Sequence, residues 1–130
     1  VKGKDKNKTL LEICKIIEDL GINILATNGT LQFLSMNNIK AKGINKAHEG
    51  RPNIIDLLTD NKIDLVINTT EGLQSIKDSK GIRMLALEKN LPYYTSAAGA
   101  WATAHSMKNI NEKELSIIPL QELKNLDFLN

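Results

Sequence analysis

An α/β fold with a largely parallel sheet is what this sequence predicts, and three observations carry that expectation. Short apolar runs alternate with helix-periodic segments along the chain, the order that places helices on both faces of a parallel sheet. With 130 residues, 42% hydrophobic and 25% charged, the chain is expected to form one globular domain with a real core. Finally, each candidate strand runs into a polar, hydroxyl-rich or basic stretch. In such sheets the ligand sits beyond the carboxyl ends of the strands.

The elements follow in order. Leu10, Ile13, Cys14, Ile17 and Leu20 recur at helical spacing, with Thr9 and Glu12 read as a capping box and Gly21 as the stop. Residues 22–26 read as a strand and 31–36 as a short helix. Residues 39–44 alternate as a less buried strand, and 45–51 form a polar loop. Pro52 suits the first turn of a helix carrying Ile54, Ile55, Leu57 and Leu58. Leu65, Val66 and Ile67 are a short apolar strand, followed by a helix over 75–87. Pro92 opens a strand over 93–96, and 97–106 is an alanine-rich helix. A last strand over 115–118 and a last helix over 121–126 complete the pattern.

Composition excludes several functions. A net charge of +2 and 4% aromatic residues argue against nucleic acid and base-stacking platforms. Lysines at 2, 4, 6 and 8 read as a solvated basic arm. Cys14 lies on the apolar helix face and is expected in the core, not as a nucleophile. His48 and His105 lie in different segments and with one distant cysteine make a poor metal set, so no metal site is expected. His105, late in its helix, reads as structural, and His48 as a loop residue beside Glu49 and Arg51. No apolar stretch reaches the ~20 residues of a membrane span, and a cytoplasmic location is expected.

The strand ends carry the candidate chemistry. In Thr27-Asn28-Gly29-Thr30, the glycine lets backbone approach a ligand and the following helix offers free N–H groups to an anion. By itself, a turn with a capping threonine explains that stretch equally well. Lys46, at the end of its strand, adds an ammonium suited to phosphate, and Asn68 can both donate and accept. Thr95 and Ser96 occupy the fourth strand end. No catalytic triad or carboxylate pair is read from spacing, nor any Walker or dinucleotide motif.

The stretches "NKAHEGRPNIIDLL" and "VINTTEG", with "ATNGT", "IKDSKGIR" and "YYTSAAGAWATA", closely resemble the C-terminal allosteric domain of carbamoyl-phosphate synthase large subunits. The resemblance runs from about residue 5 to the end. It implies a methylglyoxal synthase-like three-layer αβα sandwich with a mostly parallel, Rossmann-like sheet, and a chain that is one part of a larger multidomain polypeptide. It implies a regulatory domain that binds UMP or IMP, with the phosphate on Thr27, Gly29, Thr30 and Lys46, and the ribose and base near Asn68 and Thr70. Thr95 matches a threonine linked to ornithine activation. The implied parent is a glutamine-dependent ligase feeding pyrimidine and arginine biosynthesis. Its cofactors are ATP with Mg or Mn and K, none of them in this domain. The implied partners are the remaining large-subunit domains, the small glutaminase subunit and copies of itself.

The sequence departs from the family pattern in two places. The nucleotide-contacting lysine of an Asp-Lys pair falls on Asn7 when counted without a gap; Asp5-Lys6 lies one residue further out, and Lys6 is taken to fill the role. The family's first strand, central in its sheet, would end at Val1-Lys2, so that strand is expected to be truncated. Two alternatives are methylglyoxal synthase itself and a plain interaction module. The synthases carry a catalytic aspartate where Arg51 stands, and a histidine within the segment matching 75–77, which has none. An arginine stays protonated and cannot be that base.

Overall fold

The computed structural model describes residues 1–70 and 72–112, so the strand and helix expected beyond residue 114 lie outside the described residues. A 3-10 turn, Gly3–Asp5, leads into helix α1, Lys8–Asp19. The expected loose basic arm is therefore partly ordered: Lys2 and Lys6 are half-buried, while Lys4 and Lys8 are exposed. The cap of α1 is Asn7, whose Oδ1 accepts from the Leu10 N–H at 3.2 Å. Thr9 and Glu12 do not form the expected box, because the helix starts two residues earlier than Leu10 and carries Glu12 into its second turn. Gly21, at φ +78°, ends the helix in the left-handed conformation expected of it.

Strand β1, Leu25–Ala26, helix α2, Asn28–Met36, and strand β2, Lys42–Gly43, make one parallel βαβ unit. Helix α3, Ile54–Thr59, follows. Pro52 is not in its first turn as expected. Asn53 is the cap, accepting from the Ile55 and Asp56 N–H groups while Asp56 accepts from the Asn53 N–H. Strand β3, Val66–Ile67, helix α4, Gly72–Glu88, and strand β4, Tyr93–Tyr94, make the second parallel βαβ unit. Helix α5, Ala97–Glu112, is longer than expected, which puts His105 in mid-helix and not near a C-terminus.

Among the described residues the sheet consists of two separate parallel pairs, β1-β2 and β3-β4. Val1 and Lys2 bridge them: the Val1 amine donates to Thr30 Oγ1 at 3.2 Å and the Lys2 N–H to Thr69 Oγ1 at 3.0 Å. Helix α1 serves both units. Leu10 and Cys14 pack with Ala26, Leu34 and Ile39, while Ile13 and Ile16 pack with Tyr94, Ala100 and Ala104. These two faces of one helix hold the strand ends in fixed relation. Helices α3 and α4 form a further packed pair, and β4 meets both α4 and α5, so the strands lie between helix layers. Cys14 is a core residue as expected, its thiol pushed up to about 11 by burial.

Candidate anion-binding site

The polar stretch after β1 becomes the start of α2. Thr27 is its cap in extended backbone, and its side chain makes no capping bond. The first helical hydrogen bond runs from the Leu31 N–H to the Thr27 carbonyl at 2.8 Å, so the N–H groups of Asn28, Gly29 and Thr30 have no partner inside the helix. Such an end carries partial positive charge.

Lys6 lies over this end. A Cβ built on Gly29 would sit 3.5 Å from the Lys6 Nζ and 3.8 Å from its Cε, ordinary contact distances, so the ammonium lies directly over the glycine. Asn7, the other candidate for this position, is occupied with capping α1. Lys46 lies in the turn beyond β2 and not at the strand's end as expected. Its backbone is pinned by Glu49, whose Oε1 accepts from the Lys46 N–H at 2.7 Å, and the side chain is exposed. The Val1 amine is held below its ordinary range, first by burial, then by the charges of Lys6 and of Lys46. Both lysines therefore act on the Val1 amine, which donates to Thr30. Thr30 is buried there.

The third strand end contributes differently. Asn68 donates from Nδ2 to Ser79 Oγ and to the Tyr93 hydroxyl, each at 2.9 Å, which fixes its amide between α4 and β4. Thr70 is half-buried two residues on. Thr69, buried at 4% exposure, is a residue the sequence reading passed over. Three polar residues in a row give no sign of which one turns inward. Thr69 and Thr30 accept from consecutive backbone nitrogens, so the second and first strand units meet at this point. Thr95 is exposed in the bend between β4 and α5, where Ser96 Oγ accepts from the Gly99 N–H at 3.2 Å. The structure thus sets Lys6 over Gly29 beside Thr27 and Thr30, has Lys46 act on the Val1 amine that Thr30 accepts from, joins Asn68 and Thr70 to this point through Thr69, and leaves Thr95 at its own strand end.

A groove lies elsewhere. It measures about 450 Å³ and is lined by Arg51, Pro52, Asp56, Thr59 and Asp60. Its arginine is already neutralised: Arg51 Nη2 lies 2.5 Å from Asp56 Oδ1, a contact that raises the guanidinium and lowers the carboxyl from their ordinary values. Two carboxylates with one paired cation do not suit an anion, whereas the α2 end does. Among the described residues no group of three or more His, Cys, Asp or Glu could hold a metal ion, and no helix is long and apolar enough to cross a membrane.

Comparison with known proteins agrees with this architecture. The family model of the MGS-like domain matches residues 9–95. The chain belongs to the MGS-like domain family, and its fold is the αβα sandwich of that family. It is similar to the carbamoyl phosphate synthase large chain of Rhizobium meliloti, 42% identical over 121 residues, covering 93% of this chain and 10% of that one. It is similar also to the "Carbamoyl phosphate synthase large chain, C-terminal section" of Aquifex aeolicus, 39% identical over 131 residues, covering 97% of this chain and 24% of the relative. The large chain of Archaeoglobus fulgidus is 35% identical over 122 residues, 94% of this chain and 11% of its own length. The chain therefore spans between about a tenth and a quarter of these curated relatives.

Proposed function

We propose that this domain is the regulatory nucleotide-binding domain of a glutamine-dependent carbamoyl-phosphate synthase large subunit. In that role it controls carbamoyl phosphate synthesis for pyrimidine and arginine biosynthesis. The effector is UMP or IMP. Its phosphate rests on the free N–H groups of α2, between the ammonium groups of Lys6 and Lys46, with the Thr27 and Thr30 hydroxyls alongside. Sugar and base extend toward Asn68 and Thr70. The observation that carries the reading is the Lys6 ammonium lying over a helix N-terminus whose second residue is glycine, with Lys46 adding its charge at the neighbouring Val1 amine. Partners in this reading are the other large-subunit domains and the small glutaminase subunit, and Thr95 relays ornithine activation. ATP and its metal ions act in the other domains.

Calorimetry tests the anchor. UMP should bind far more tightly than uridine, because charge-assisted contacts to phosphate are each worth about 1.5–3 kcal/mol. Equal affinities would refute the phosphate anchor. A methylglyoxal synthase-type lyase shares the phosphate loop but needs a carboxylate base where Arg51 stands, locked to Asp56. Dihydroxyacetone phosphate incubated with the domain should yield no methylglyoxal above a buffer control.

A further inference from the structure

Helix α4 has a buried side and an outer side of unusual character. Inward, Ala86 is fully buried, and a Cβ on Gly81 would stand 3.7 Å from Ile55 Cδ1 of α3. Outward, Ile76, Met84 and Leu87 are 57%, 61% and 78% exposed. At ~100° per residue these three and Lys80 fall in one sector of about 80°. Lys77 and Arg83 flank that sector, both exposed. A solvated helix face would carry polar residues where this one carries an apolar stripe.

We propose that the outer face of α4 is a docking surface for another polypeptide surface, one with an apolar centre ringed by carboxylates. Charge selects this occupant. Lys80 lies within the stripe and Lys77 and Arg83 flank it, and no described carboxylate forms an ion pair with them, while among the described side chains Glu88 at the helix end is an exposed acid. A second copy of the same face is disfavoured. Antiparallel self-pairing about the middle of α4 would set Lys80 against its own counterpart and Arg83 against Lys77, and facing like charges repel. A lipid surface is disfavoured because the stripe holds no aromatic residue to sit at the headgroup level.

The same helix touches the anion rim from its other side. Ser79 accepts from Asn68, which also donates to Tyr93, so a displacement of α4 on docking is felt at the third strand end. This coupling rests on the function proposed above; the docking face does not. Occupancy of one site then changes affinity at the other by the same factor.

The test is site-specific photocrosslinking in the complete protein, with p-benzoylphenylalanine replacing Met84. Met36 of α2, 83% exposed, is the control position. The expected result is a crosslink from position 84, and not from 36, to a peptide with apolar residues flanked by Asp or Glu. Its yield should fall at least tenfold in the Lys80→Glu/Arg83→Glu variant. With the charges intact, raising salt from 0.05 to 0.5 M, across which screening shortens to several ångströms, should also reduce it. Crosslinking to lipid, crosslinking to α4 of another copy, yields equal at 84 and 36, or insensitivity to both charge reversal and salt would overturn the docking face. UMP should change the yield at least twofold. An unchanged yield while calorimetry shows UMP bound would overturn the coupling alone, and absence of UMP binding would overturn the nucleotide reading.

Discussion

At the rim, the Lys6 ammonium lies over the start of α2 and Lys46 adds its charge at the Val1 amine, and neither lysine forms an ion pair with a described carboxylate. Along the α1–α5 seam, Glu12 accepts the Trp101 indole N–H at 3.0 Å and meets His105 Nε2 at 2.9 Å, with the two rings 4.0 Å apart. The seam closes its polar groups on one another above a layer of Ile13, Ile16, Ala100 and Ala104. The rim instead accumulates charge of one sign at the end of a helix dipole. A region organised for stability satisfies itself, whereas the proposed binding site keeps an electrostatic demand that a ligand would meet. Helix α1 belongs to both, beginning one residue after Lys6 at its Asn7 cap and running through the seam.

Variants at the two regions should therefore separate stability from binding. Ile13→Ala, at a position with 0% exposure, should cost about 2–5 kcal/mol in denaturant unfolding, while UMP affinity of the folded protein changes less than about twofold. Loss of UMP binding at full fold would break the division. Lys46→Ala reverses the pattern. It should weaken UMP by about 1.5–3 kcal/mol, roughly 10- to 150-fold by calorimetry, with unfolding free energy within about 0.5 kcal/mol of the parent. In the proposed complete enzyme an inhibition curve should move to correspondingly higher UMP; an unmoved curve would remove Lys46 from the proposed site.

Asn7→Ala sits where the regions join. Loss of the α1 cap should cost about 0.5–2 kcal/mol of stability, and some UMP affinity as well, because Lys6 is anchored by the same turn. Thr95→Ala should leave UMP within about threefold, under roughly 0.7 kcal/mol, while blunting ornithine activation of the complete enzyme. Collapse of UMP binding there would extend the rim to the fourth strand end.

The smallest effect is on pH dependence. Hydrogen bonds from Trp101, then His105, hold the Glu12 carboxyl below its ordinary value of 4.5. A depressed carboxyl contributes stability that is fully present above its unfolded pKa and is lost as pH falls through the lower folded value. Below about pH 4.5 the melting temperature of the parent should thus drop slightly more steeply than that of Glu12→Gln. Emission from Trp101, the single tryptophan, should report the seam opening in step. Parallel curves for the two proteins would mean that the carboxylate adds nothing to the seam.

Local chemistry made much of this readable in advance. The Thr27-Asn28-Gly29-Thr30 stretch announces a strand passing into a helix, since glycine and a threonine at the cap position act within a few residues, although the Thr27 side chain makes no capping bond. Cys14 was legible as core because it shares a helical face with Leu10. Where two local signals compete, the reading slipped. Thr9 with Glu12 and Asn7 alone are both credible caps, and Asn7 prevails because Glu12 is used 89 and 93 residues away by Trp101 and His105. Pro52 and Asn53 competed in the same way, and the asparagine formed a reciprocal cap with Asp56.

By itself the sequence determined the alternation of strands and helices, the polar character of every strand end, and the motifs that resemble the MGS-like domain. These depend on residue types and short spacings. Tertiary structure alone decided that the ammonium of Lys6, and not the neighbouring Asn7 side chain, lies over Gly29. It also decided that Thr69 turns inward beside Asn68, and that Arg51 is spent on Asp56. The physical reason is distance along the chain. Charges and hydroxyls acquire a partner, or lack one, only when packing on α1 and α4 brings remote segments within hydrogen-bond reach.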